Sequence, residues 1–111
     1  MAVRTSAPLE RLSRLGDLIR DVRLANLHQA AAARQDCLTQ LQAVSQVASS
    51  TGLNPVATQQ AALLYDRWAD TRRAALNLVL AQRTAEWMVA KEDARLALIR
   101  ADVLRALKDK R

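Results

Sequence analysis

Few residues in this 111-residue chain could do acid–base, nucleophilic or metal chemistry, and their spacing keeps them apart. His28 is the only histidine and Cys37 the only thiol. On one helix they would lie ~13 Å apart along the axis, too far to share a metal ion. A lone cysteine on an apolar stripe reads as a small packed residue rather than a nucleophile. Gly16 and Gly52 are the only glycines, so no phosphate-cradling loop can form. Glu92 and Asp93 are adjacent and point away from each other on a helix. The expectation is a protein that is not an enzyme, with no catalytic, cofactor-binding or metal residues.

The elements that would position any surface are helical. Ala, Leu, Arg and Gln dominate, while two Gly, two Pro, one Tyr and no Phe leave room for one sharp reversal. From Leu9, apolar or small residues recur at Leu12, Leu15, Ile19, Val22, Asn26, Ala30, Ala33, Cys37, Leu41, Val44 and Ala48. Steps of three and four keep one helix face turned the same way. Ser6 and Pro8 suit the start of that helix. The pattern stops at SSTGLNP, where Gly52 can close one helix and Asn54 can cap the next, with Pro55 in its first position. A second stripe runs through Leu64, Trp68, Thr71, Ala75, Leu78, Gln82, Ala85, Val89, Glu92, Leu96, Ile99, Val103 and Leu107. The predicted fold is all-α: two long helices in an antiparallel coiled-coil hairpin. The helices are expected over about 8–48 and 55–108, the second longer, with a loop over about 49–54. Such a hairpin has no concave pocket of the size catalysis usually occupies.

The unequal arms carry a functional expectation. Helix one should run ~60 Å and helix two ~80 Å at ~1.5 Å per residue. Pairing outward from the loop uses up helix one near Arg95. Leu96, Ile99, Val103 and Leu107 would then form an apolar face without an intramolecular partner, among Arg95, Arg100, Arg105, Lys108, Lys110 and Arg111. Apolar surface of that kind marks a binding site; the other reading is that the last turns fray or that residues 1–7 fold over them. Trp68 falls on the seam and reads as core. Trp87 falls at its flank near Leu76 and Leu80, either covering the seam or anchoring a partner. Asn26, Gln82 and Glu92 would interrupt the seam and fix its register.

Net charge is +6, but acids are interspersed with the bases throughout. Residues 1–24 hold five Arg against three acids, and residues 65–111 hold eleven Lys/Arg against seven. Mixed signs favour a solvated face over a phosphate-binding stripe. Between Cys37 and Tyr65 no residue is charged, which places a neutral segment at the hairpin tip: it either packs on itself or docks on a partner where fixed charges would be costly to desolvate. That segment is too polar to span a bilayer, MAVRTSAPLER has no signal-peptide core, and one cysteine allows no internal disulfide. A cytoplasmic protein is expected, with peripheral association at the inner membrane open through the basic amphipathic C-terminal segment.

PLERLSRLGDLIRDVRLANLHQAAAARQDCLTQLQAV resembles the first helix of the FliJ family of flagellar type III export proteins, with its L-x-x-L-x-x-L opening and Ala/Arg/Gln-rich continuation. TAEWMVAKEDARLALIRADVLRALKDKR is similar to that family's C-terminal arm, in which Glu, Trp, Lys and Arg alternate with Ala and Leu. The resemblance implies a two-helix stalk similar to the central shaft of rotary ATPases. Its end with both termini would enter the hexameric export ATPase ring, and other parts would contact the membrane export gate. Carried over, Leu96, Ile99, Arg100, Val103, Arg105 and Leu107 would meet the ring; Tyr65, Trp68, Leu76 and Trp87 would face the gate or chaperones. The residues alone leave two other readings open. One is a structural coiled-coil module in which that C-terminal stripe self-associates into a dimer or four-helix bundle. The other, least favoured, is a basic hairpin that binds nucleic acid or anionic membrane.

Overall fold

In the computed structural model, which describes residues 2–47 and 55–110, the chain is an all-α helical hairpin of α1 (Ala2–Val47) and the longer α2 (Pro55–Asp109). Pro55 is the first residue of α2, the position at which its missing N–H costs nothing. α1 begins earlier than the sequence indicates, at Ala2, so Pro8 lies inside the helix instead of opening it. The expected loop over 49–54, with Gly52 and Asn54, and the seam position Ala48 fall outside the described residues.

Side-chain contacts set the direction of pairing. In the unit formed by residues 1–31 and 86–111, Asp17 meets Arg105 at 3.4 Å and Arg23 meets Asp93 at 4.0 Å. In the unit formed by residues 32–85, Arg34 bonds Thr84, Cys37 reaches Leu76, and Gln40 accepts from Arg72. Partner numbers fall along one helix as they rise along the other, so within each unit the two helical segments run antiparallel.

The second unit holds a cluster of buried side chains. Cys37, Val44, Ala69 and Leu76 pack together, with Leu41, Tyr65 and Leu80 half-buried against them. The Tyr65 hydroxyl donates to the Val44 carbonyl, and the Cys37 thiol donates to the Leu76 carbonyl at 3.2 Å. Cys37, Leu41 and Val44 are seam residues here, as their spacing indicates.

The first unit is built differently. Its inward positions on α1 are Leu9, Ser13, Gly16, Arg20, Leu24 and Leu27; those on α2 are Trp87, Ala90, Ala94, Ala97, Ala101 and Leu104. Ser13, Ala94, Ala97 and Ala101 are all buried. At Gly16 an added Cβ would lie 3.7 Å from the Cα of Ala101, a backbone approach that only small residues permit.

The apolar stripes are therefore displaced from the expected seam. Leu12, Leu15, Ile19 and Val22 on α1, and Leu64, Trp68, Leu78, Val89, Ile99, Val103 and Leu107 on α2, are exposed. Asn26, Gln82 and Glu92 are exposed as well, so they do not set register from within. The cause is size: Ala and Gly let two helices approach closely, and the larger side chains are carried round to the flank. No large side chain is completely buried anywhere among the described residues.

Candidate protein-docking face

In the unit of residues 1–31 and 86–111 several exposed apolar residues group on one side, while exposed Leu18, Met88 and Leu98 lie elsewhere on it. Leu12, Leu15 and Ile19 each stand one position before an inward residue: Ser13, Gly16 and Arg20. On α2, Val89, Leu96 and Val103 stand one position before Ala90, Ala97 and Leu104. One step back along a helix turns a side chain by ~100°. Because the two helices run in opposite directions, the same step on both brings the side chains out on the same side of the pair.

The ion pairs agree with this assignment. Arg23 and Asp93, each one position before an inward residue, reach across that same side. Asp17 and Arg105, each one position after, pair across the opposite side. The register between these pairs places Leu15 across from Val103, and Ile19 level with Leu96 and Arg100. The result is a lateral face contributed by both helices, apolar through Leu12, Leu15, Ile19, Val89 and Val103 and crossed by the charged residues Arg23, Asp93 and Arg100.

The residues expected to meet a partner fall as follows. Val103 lies on this face and Leu107 continues it, both about half exposed, and Leu96 is half-buried beneath it. Ile99, midway between inward Ala97 and Ala101, points away from the helix pair. Arg100, one position before Ala101, is exposed within the face, and Arg105 lies on the other side, held by Asp17. The expected reason for the face needs correction. The C-terminal arm is not an overhang: Ala94, Ala97 and Ala101 are buried, and Leu104 packs against Gly16. α1 starts early enough to pair with α2 at least as far as Arg105. The apolar surface is lateral, and α1 contributes to it through Leu12, Leu15 and Ile19.

The other candidates separate. Leu76 is 4% exposed in the core of residues 32–85, so no partner can reach it. Trp68, expected in the core, is 51% exposed, with its ring centroid 5.4 Å from that of half-buried Tyr65. Trp87 is half-buried, and the Lys91 ammonium sits 4.3 Å from its ring centroid in a cation–π contact. Beside it, Arg95 clamps the Glu92 carboxylate with two hydrogen bonds of 2.6 and 3.0 Å. Those bonds, helped by the Arg95 charge, hold the Glu92 carboxyl below the usual glutamate range and raise the Arg95 guanidinium.

Among the described residues no three His, Cys, Asp or Glu side chains come together as a metal site. No described helix is long and apolar enough to cross a membrane. No protein-family model, curated protein or solved structure matches this chain.

Proposed function

We propose that the chain is a non-enzymatic helical adaptor that works by presenting the face of residues 12–22 and 89–107 to another protein. The observation that carries this reading is the face itself, an apolar strip shared by two helices and left without an intramolecular partner. Burying a side chain of this kind is worth ~1.5–3 kcal/mol. Each exposed Leu, Ile or Val there holds a large part of that in reserve.

The resemblance to the FliJ family supplies the setting: a stalk or adaptor of a flagellar or related type III protein-export apparatus, working in the cytoplasm or peripherally at the inner membrane. The unit with the face also contains both terminal segments, the end that the resemblance assigns to the export ATPase ring. Leu15, Val103 and Leu107 would make the apolar contacts, with Arg100 among them. Tyr65 and exposed Trp68, in the other unit, are the residues for the export gate or a chaperone. Interspersed charge speaks against nucleic acid as the partner.

The test is binding to the export ATPase of the same cell, read as co-elution and as a change in ATP hydrolysis. Wild-type chain binds and alters turnover; Leu15→Asp and Val103→Asp lose both effects while keeping wild-type helicity. Absence of binding by wild-type chain, or full binding by both variants, contradicts the stalk reading.

A further inference from the structure

We infer that the first turns of α2 dock on an anionic lipid surface through an outward strip formed by Val56, Leu63, Leu64, Arg67 and Trp68. The face of residues 12–22 and 89–107 plays no part in this. At Trp68 it names a lipid surface in place of the gate or chaperone that the resemblance suggests.

In the unit of residues 32–85, Tyr65 and Ala69 are inward residues of α2. Arg67 stands midway between them and points away from α1; Leu63 and Val56, about one and three turns earlier, point the same way. Leu64 and Trp68, each one position before an inward residue, widen the strip on one flank. Val56, Leu63 and Leu64 are 69%, 63% and 68% exposed, which leaves most of their apolar surface to solvent.

Charge decides the kind of surface that fits. The strip itself holds no acid. Asp66 and Asp70 each stand one position after an inward residue, on the flank away from Trp68, and Asp70 pairs with Arg73 at 3.4 Å. Arg67 lies on the strip, and Arg72 borders it beside Trp68, bonded to the neutral amide of Gln40. On α1 the acid closest in level is Asp36, about two turns beyond Trp68. From Tyr65 back to Cys37 the sequence carries no charge, so seating this end of α2 among headgroups desolvates no ionised group of that run. Arg67 can reach lipid phosphates while its stem lies along the apolar boundary, and the Trp68 ring suits the same depth. The net charge of +6 draws the whole chain toward an anionic leaflet.

Area separates a lipid surface from a protein one. Taken from their fractional exposures, the four apolar side chains leave on the order of 500 Å² to solvent, well short of the ~800 Å² per partner of a standard protein interface. Shallow insertion of a helix face needs apolar anchors and a cation rather than that much area.

The test uses the full chain carrying Trp87→Phe, which leaves Trp68 as its one tryptophan, and vesicles of phosphatidylcholine with or without phosphatidylglycerol. With anionic vesicles the Trp68 emission should shift to the blue and be quenched by spin-labelled lipid; affinity for neutral vesicles should be at least about tenfold weaker. Leu63→Asp with Leu64→Asp should lose the shift while helicity is kept, since both side chains are exposed. Val103→Asp, and Lys108→Gln with Lys110→Gln, should leave it intact. Unshifted emission in anionic vesicles overturns the inference, as does binding indifferent to the Leu63 and Leu64 changes or lost with Lys108 and Lys110 instead. A chain that ignores vesicles but binds a protein through Leu63 and Leu64 overturns the lipid and leaves the adaptor standing. Vesicle binding by a chain that binds no export ATPase does the reverse.

Discussion

At the residue scale, Gly16 shows how closely packed the seam is. A methyl group added there would come within 2.9 Å of the Leu104 Cδ1, the far end of a flexible side chain, and 3.7 Å from the Ala101 backbone. Leu104 is half-buried and can turn aside. Alanine also gains ~1 kcal/mol of helix propensity over glycine. Gly16→Ala is therefore expected to be neutral or stabilising by up to about 1 kcal/mol in urea unfolding. Gly16→Leu has no room against the Ala101 backbone and should cost about 1–3 kcal/mol. The Glu92–Arg95 clamp, by contrast, lies on the exposed surface of α2.

At the element scale, much of the fold was legible. Helix-forming composition, a three-and-four repeat and a single break at SSTGLNP indicate two helices paired antiparallel, which is the architecture found. Cys37, Leu41 and Val44 were legible too, because there the largest apolar residues do point inward. The orientation of the remaining stripe was not. Reading Leu12, Leu15 and Ile19 as seam assumes that the bulkiest apolar residues face the partner helix. In the unit of residues 1–31 and 86–111 the inward places go instead to Ser13, Gly16, Ala94, Ala97 and Ala101. Two stripes one residue apart, one of large and one of small side chains, both satisfy a helical period; periodicity alone cannot choose between them. The deciding signal lay in the run Ala90, Ala94, Ala97, Ala101, whose three-and-four spacing is itself a seam of small residues. The docking face was legible in Val103 and Leu107 and hidden in its α1 half; Ile99 is exposed but points away from the pair. Leu76 failed as a surface candidate because its neighbours Val44 and Cys37 enclose it.

At the scale of the whole molecule, an unburied apolar face coexists with a net charge of +6. Acids interspersed among the bases predict no tight DNA binding at moderate salt; tight binding that weakens steeply as salt is raised would instead mark a phosphate-driven partner. The measurement that goes most directly to the arrangement of seam and face is urea unfolding of Ala97→Asp and Ile99→Asp side by side, diluted until the chain is monomeric. With Ala97 inward and Ile99 outward, Ala97→Asp buries a charge and should cost at least about 2 kcal/mol, while Ile99→Asp should change monomer stability by no more than about 0.5 kcal/mol. The reverse order of sensitivity would put Ile99 in the seam and remove the docking face.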